Sequence, residues 1–190
     1  MLHIVTPLYR YETLHMVYDS IPKNEDITWH IARSSRRDPG ESLDFIKSDK
    51  RIRYYELDCP DTDTTTKRNT CFAEINDGYF CFIDDDTEFH LGMYETYKKC
   101  LSSNFEGIMV GKQLWPDGRT RLEGNCIKIG NIDTGNALAH TSCLTECKWP
   151  EKNEIKCCWD YFFWHDVHNY YKDFKTIDSV ISVYNSIKNK

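Results

Sequence analysis

No stretch of this sequence stays apolar for the roughly 20 residues that a membrane-crossing helix needs. The N-terminus, MLHIVTPLYR, lacks the basic segment and apolar run of a secretory signal, so the chain reads as a cytoplasmic protein. Basic charge is scarce: 24 Lys and Arg stand against 30 Asp and Glu, a net charge of -6. That balance argues against a general nucleic-acid binder, which must neutralise phosphates, and leaves only ARSSRR (32–37) as a local basic patch. Internal repeats, low-complexity tracts and linkers are missing too, and 190 residues suffice for one domain with a full core. The nine cysteines are odd in number and spread along the chain, which reads as reduced thiols packed as small apolar residues. Cys143, Cys147, Cys157, Cys158, His165 and His168 raise the alternative of zinc, but their spacing matches no usual paired-ligand pattern.

What is present is an alternation of short apolar runs and helical patterns. LHIVT (2–6) is a strand ended by Pro7, and Leu14, Val17, Tyr18 and Ile21 follow at helical spacing. ITWHIA (27–32) and RIRYYEL (51–57) are further strands, separated by a polar loop with Pro39 and Gly40. DTDTTTKRNTCFAEI (61–75) carries capping signals and then Phe72 and Ile75 on one face. YFCFI (79–83) is the most strand-like run; a helix over about Leu91 to Leu101 and a strand at GIMVG (107–111) come after it. The second half is less regular, with a turn at WPDG (115–118), a strand at NCIKIG (125–130) and an aromatic helix at CCWDYFFWHDVHNYY (157–171). Such alternation predicts an α/β fold, a mainly parallel sheet with helices on both faces. Ligands then bind beyond the carboxyl ends of the strands.

Asp84, Asp85 and Asp86 stand at such an end. A solvated turn or a helix cap accounts for one Asp, at most two. Three adjacent carboxylates after a fully apolar strand call for a counter-charge against their repulsion. A hard divalent cation, Mn2+ or Mg2+, supplies one and commonly joins a carboxylate or two to a diphosphate.

CFIDDDTEF (81–89) resembles the DXD motif of glycosyltransferases with the GT-A fold. Four more segments agree in order: IVTPLYR (4–10) with the first strand and its nucleotide-facing loop, KRNTCFAEINDGYFCFIDDD (67–86) with the Arg-Asn helix before the DXD strand, IDTGNALAHTSCL (132–144) with the acceptor-side turn, and WDYFFWHDV (159–167) with the helix that opens on a catalytic base. The pattern is similar to glucuronyltransferase-type enzymes and to small virus- or phage-encoded glycosyltransferases, over nearly the whole chain. The resemblance implies a single domain, residues 1–190, with a nucleotide-sugar donor half over about 1–100 and an acceptor half over about 101–190. It implies that Asp86 binds the metal, with Asp84 and Asp85 facing ribose and donor sugar or holding metal-bound water. Arg68 would meet the base or phosphates, Thr6, Pro7 and Tyr9 would line the nucleotide pocket, Asp133 would hold an acceptor hydroxyl and Asp160 would be the general base. Two places depart from the family. Arg33, Ser34 and Ser35 stand where an acidic residue often reads uracil, and SVYNS (182–186) lacks the histidine that reaches the diphosphate, leaving Tyr184 or Asn185 as substitutes.

The residues themselves leave Asp160 open between a helix cap and a base whose pKa an aromatic neighbourhood raises toward neutrality. His140, His165 and His168, and Trp115, Trp159 and Trp164, read as core or surface residues, although a Trp can stack on a sugar face. Arg33, Arg36 and Arg37 read as a solvated loop or as a lid over phosphates. The expected function is metal-dependent transfer from a nucleotide-diphosphate sugar, foremost a UDP-sugar, to a glycan or other hydroxyl, with inversion. The alternatives are a nucleotidyltransferase, disfavoured because TPLYRYE (6–12) has no glycine for a phosphate loop, and a non-catalytic nucleotide-sugar-binding module.

Overall fold

The computed structural model describes residues 1–38, 43–151 and 157–184. Pro39, Gly40 and Asn185 lie outside the described residues. The first half builds β1 (Leu2–Pro7), α1 (Leu14–Ser20), β2 (Ile27–Ser34), α2 (Asp44–Ser48), β3 (Ile52–Leu57), α3 (Thr64–Ala73), β4 (Tyr79–Phe82), β5 (Glu88–Phe89) and α4 (Leu91–Ser103). The second half adds β6 (Ile108–Leu114), β7 (Thr120–Leu122), β8 (Ala137–His140), α5 (Trp159–Tyr171) and β9 (Phe174–Val183). The strands form one sheet in the order β3-β2-β1-β4-β8-β6-β9-β5, with β7 paired to β6.

β1 and β4 are buried along their whole length, which fits their largely apolar sequences and is usual for the central strands of α/β sheets. Tyr79, Cys81 and Ile83 enter the core on the face covered by α1, α2 and α4. Phe80 and Phe82, pointing the other way, pack with Phe72 of α3 and Phe163 and Trp164 of α5. Trp164 stacks on Phe80, ring centres 5.9 Å apart and nearly coplanar. One element type thus serves both layers, because successive side chains leave a strand on opposite faces.

β3, β2, β1 and β4 run parallel, so Ser34, Pro7 and Ile83 reach the same edge of the sheet. β8 then lies antiparallel to β4, with Cys81 opposite Leu138. This register brings the segment before β8, residues 133–136, to the carboxyl end of β4. The second half therefore departs from a parallel continuation, although β6 and β9 are again parallel. β9 was not expected from its sequence. The expected strand at NCIKIG forms no ladder: residues 125–130 are loop and turn, since period-two polarity makes a strand only where a partner accepts its hydrogen bonds. WPDG is the turn expected, closed by the Gly118 N–H donating to Trp115 C=O at 3.0 Å.

Candidate active site

The three aspartates have different partners. They lie in a turn closed by the Thr87 N–H donating to Asp84 C=O at 3.0 Å; Asp85 and Asp86 converge on one nitrogen of Arg10, and Asp84 meets Arg68. Asp84 remains partly exposed; its oxygens accept from Arg68 Nη2 and Thr134 Oγ1, each at 2.9 Å. Asp85 is 2% exposed and points back at the loop after β1. It accepts from the backbone N–H groups of Tyr9 and Arg10, both at 2.6 Å, and from Arg10 Nη1 at 2.8 Å. Asp86, 4% exposed, accepts from the same Arg10 Nη1 at 2.7 Å. Burial pushes the Asp85 carboxyl up to about 6 and also raises that of Asp84, despite the donors around them.

These contacts correct the physical argument for a metal. Two guanidinium groups, Arg10 and Arg68, offset part of the charge of the three carboxylates, so a divalent cation is not the sole counter-charge. Asp85, which also lines the first cleft, has its carboxylate engaged in holding the Tyr9–Arg10 loop in place. Thr6 stands behind the site. It is fully buried, its hydroxyl donating to Ile83 C=O at 2.5 Å and accepting from Trp29 Nε1 at 2.9 Å.

The loop after β1 is clamped from two more sides. Arg37 donates to Tyr9 C=O at 2.7 Å and pairs with Asp61 at 3.1 Å. The fully buried Lys67 donates to the carbonyls of Leu8 and Asp61 at 2.7 and 2.6 Å, and burial lowers its pKa. Arg33 is buried and pairs with Glu56, so the basic stretch is no simple solvated loop.

α3 begins where Asp63 caps the Thr66 N–H at 3.0 Å. Further along, the Asn69 amide both donates to Trp149 C=O and accepts from its N–H, at 3.1 and 2.8 Å. That pairing fixes the indole beneath Arg68, whose guanidinium carbon sits 3.9 Å from the ring centre. Stacked there, with 7% of its side chain exposed, Arg68 holds its charge toward Asp84. Its Nε has no hydrogen-bond partner.

Across the edge, Asp133 caps the short turn Thr134–Asn136; it accepts from the Thr134 N–H at 2.6 Å, and the Asn136 side chain accepts from the Asp133 N–H at 2.8 Å. Gly135 leaves the turn room: a Cβ there would meet Gln113 Nε2 at 2.6 Å. Arg121 pairs with the other Asp133 oxygen. One helical turn beyond Asp160, Trp164 Nε1 donates to Asp133 C=O at 3.2 Å, which sets the first turn of α5 against Asp133. The two carboxyls line one cleft and influence each other's protonation. Burial, then the neighbouring Asp133 charge, push Asp160 up to about 8. Asp133 is held below the usual range: burial works upward, but its interaction with Asp160 and the charge of Arg121 outweigh it. The direction is the one expected for Asp160, with the like charge of Asp133 added to burial as a cause.

Two clefts open along this edge. The first, about 240 Å3, is lined by Pro7, Tyr9, Arg10, Thr64, Arg68, the three aspartates and Tyr184. The second, about 340 Å3, is lined by Asp133, Asp160, Arg121, Cys158, Tyr161 and others. Asp84 and Tyr184 belong to both. Tyr184 follows β9 and lies 3.9 Å beneath the Arg121 guanidinium, so the stretch without histidine still delivers a side chain to the junction.

Solved structures share this fold. S. aureus TarS 1-349 in complex with UDP-GlcNAc superposes with a TM-score of 0.79 at 13% identity, covering 96% of this chain and 57% of that one. The mannosyltransferase PcManGT from Pyrobaculum calidifontis, in complex with GDP-Man and Mn2+, gives 0.69 at 11% identity, covering 96% and 56%. The fold is GT-A. This chain spans a little over half the length of those two chains. A protein named as a glucose-1-phosphate thymidylyltransferase from Bacillus anthracis also matches, at a TM-score of 0.60 and 14% identity over 99% of this chain and 92% of that one. No family model matches the sequence, and no curated protein matches it.

The GT-A sheet thus gathers nearly every residue singled out from the sequence at one edge, with Thr6 set behind it. Arg10, Arg121, Thr134 and Trp149 were not anticipated. Arg10 alone had a readable signal, as the cation that ends the segment read as the first strand and its nucleotide-facing loop; the rest are placed by contacts across the sheet. Among the described residues, no group of three or more His, Cys, Asp or Glu is arranged to hold a metal ion. A Mg2+ or Mn2+ held by one or two carboxylates and a ligand's phosphates needs no such group. Asp84 and Asp86 fit that kind of site: both offer hard oxygens to the first cleft, and the Arg10 guanidinium there stands in for a cation. All nine cysteines are unpaired, and Cys157 and Cys158 are exposed beside the second cleft. No helix among the described residues is long and apolar enough to cross a membrane.

Proposed function

We propose that the chain is a metal-dependent glycosyltransferase that moves a sugar from a nucleotide-diphosphate sugar, foremost a UDP-sugar, to an acceptor hydroxyl with inversion. The observation that carries this reading is the meeting of two clefts at Asp84 and Tyr184, one rich in arginine and carboxylate, the other lined by the carboxyls of Asp133 and Asp160. The complexes of the two glycosyltransferase neighbours, with UDP-GlcNAc and with GDP-Man and Mn2+, support the donor class.

In the donor cleft, Pro7, Tyr9 and Thr64 form the wall for the nucleotide, and Arg68 and Arg10 offer charge-assisted hydrogen bonds to phosphates. A divalent cation held by Asp86 and Asp84 would supply Lewis acidity for the departing diphosphate. Asp85 and Lys67 keep the wall in place. In the acceptor cleft, Asp133 orients Asp160 rather than holding the acceptor alone, because its own oxygens are already engaged by Arg121 and Thr134. Deprotonated Asp160 takes the proton of the acceptor hydroxyl as that oxygen attacks the sugar carbon, and the bond to the diphosphate breaks on the opposite side. Such a base contributes about 100- to 10,000-fold in rate.

Incubation with a panel of UDP-, GDP- and dTDP-sugars, with and without Mn2+, followed by product analysis, tests the proposal. A transferred sugar of inverted configuration supports it. Released pyrophosphate would favour the nucleotidyltransferase reading suggested by the likeness to the named thymidylyltransferase, and absence of turnover with binding intact would favour a binding module.

A further inference from the structure

We infer that Arg10 makes divalent-cation capture at Asp86 conditional on a diphosphate. This rests on the donor site proposed above. Arg10 Nη1 lies 2.7 Å from Asp86 Oδ2 and 2.8 Å from Asp85 Oδ1, so one donor group bridges two nearly buried carboxylates. A Mg2+-type ion binds carboxylate oxygen at about 2.0–2.1 Å and needs the same lone pairs. To reach Asp86 Oδ2 it must displace a charge-assisted hydrogen bond and then sit beside a fixed positive charge. Both effects weaken cation binding when nothing else enters the cleft.

A diphosphate changes both. Arg10 is not sealed in: 32% of its side chain is exposed, and the residue lines the first cleft. Its Nε and Nη2 make no hydrogen bond among the described residues, so part of the guanidinium fork is available for phosphate oxygens. The phosphates draw the guanidinium toward themselves, free an Asp86 oxygen, and offset the repulsion between guanidinium and cation. Diphosphate and cation therefore bind with positive coupling, and the coupling runs through Arg10. The loop keeps Arg10 at this post, since Asp85 also accepts the Arg10 backbone N–H at 2.6 Å and Arg37 donates to Tyr9 C=O at 2.7 Å.

The test is Mn2+ binding followed by electron paramagnetic resonance, with and without UDP, in the wild type, Arg10→Gln and Arg10→Lys, with circular dichroism as the check on folding. Without UDP, Arg10→Gln is expected to bind Mn2+ at least tenfold more tightly than the wild type. UDP is expected to raise wild-type Mn2+ affinity by tenfold or more and to raise that of Arg10→Gln much less. Arg10→Lys, which keeps the positive charge, is expected to bind Mn2+ weakly without UDP. Equal Mn2+ affinity of wild type and Arg10→Gln without UDP, or an undiminished UDP effect in Arg10→Gln, overturns the inference. Should Arg10→Gln fail to fold, tight nucleotide-free Mn2+ binding by the wild type or by Arg10→Lys overturns it. Should UDP bind none of the three proteins, the donor-site reading fails on its own, while the nucleotide-free affinities still decide whether Arg10 opposes the cation.

Discussion

Asp160, on the first turn of α5, shares the second cleft with Asp133, and the two carboxyls shift in opposite directions: Asp160 upward, Asp133 below the usual range. Burial and the Asp133 charge hold Asp160 at about 8, which leaves it mostly protonated at neutral pH. A base must be deprotonated to work. The transfer rate is therefore expected to rise with pH and to level off above about 8. Asp160→Asn is expected to keep donor binding, to lose roughly a hundredfold or more in kcat and to flatten that profile. Steady-state kinetics from pH 6 to 9, with calorimetric titration of donor, checks it. A near wild-type rate would leave Asp160 as an acidic residue of the first turn of α5, whose N-cap is Cys158, with no part in the chemistry.

Removing the Asp133 charge separates orientation from chemistry. Asp133→Asn takes away the like charge beside Asp160 and frees Arg121 to act on it. Both changes lower the Asp160 pKa, so the rise of the pH–rate profile is expected to move below 8 even though the plateau falls. An unmoved midpoint would show that the two carboxyls are not coupled.

Asp86 belongs to the first cleft and Asp160 to the second. Asp86→Ala is expected to lose Mn2+-dependent donor affinity together with turnover, in contrast to Asp160→Asn. Donor titrations with Mn2+ and with excess chelator read the difference. Full activity in chelator would remove the metal from the mechanism.

Thr6 tests a supporting role. Its hydroxyl accepts from Trp29 Nε1 inside the core, so Thr6→Val keeps the shape and strands a buried donor. The expected cost is about 1–3 kcal/mol of stability in urea denaturation, with donor affinity little changed. A large loss of donor affinity at intact stability would restore Thr6 to the pocket.

The buried chain His3–His30–Tyr55, with ring and hydroxyl contacts of 2.9 Å, predicts sensitivity to acid. Burial, with the charges of His3 and Arg53, lowers His30 to about 3, so the folded protein holds it neutral. A depressed histidine contributes stability above its unfolded pKa near 6.5 and loses it as pH falls through the window from about 6.5 to 3. Between pH 7 and 5 the wild type is expected to lose about 2 kcal/mol more than His30→Gln in urea denaturation. The variant serves as the reference because the raised carboxyls Asp85 and Asp160 act in the opposite direction in both proteins. Parallel pH dependence in the two proteins would show that His30 does not resist protonation.

The sequence alone determined the parts whose cause is local. Short, largely apolar runs at 2–6 and 79–83 meant strands of a sheet covered by helices on both faces, and the structure pairs them side by side within the sheet. Capping residues and helical spacing located α1, α3 and α4, and the acidic run marked the edge where the clefts open. The tertiary structure decided what depends on partners far along the chain. Period-two polarity says nothing of a strand's direction or neighbour, so the antiparallel insertion of β8 beside β4, which carries Thr134 to Asp84, and the existence of β9, which carries Tyr184 to the junction, were not legible. Nor was the electrostatic state of the site. Whether a carboxylate needs a metal, holds a loop or keeps a proton depends on which charge stands within hydrogen-bonding distance, and Arg10, Arg68 and Asp133 come within reach of the carboxyls at 84–86 and of Asp160 only when the sheet closes.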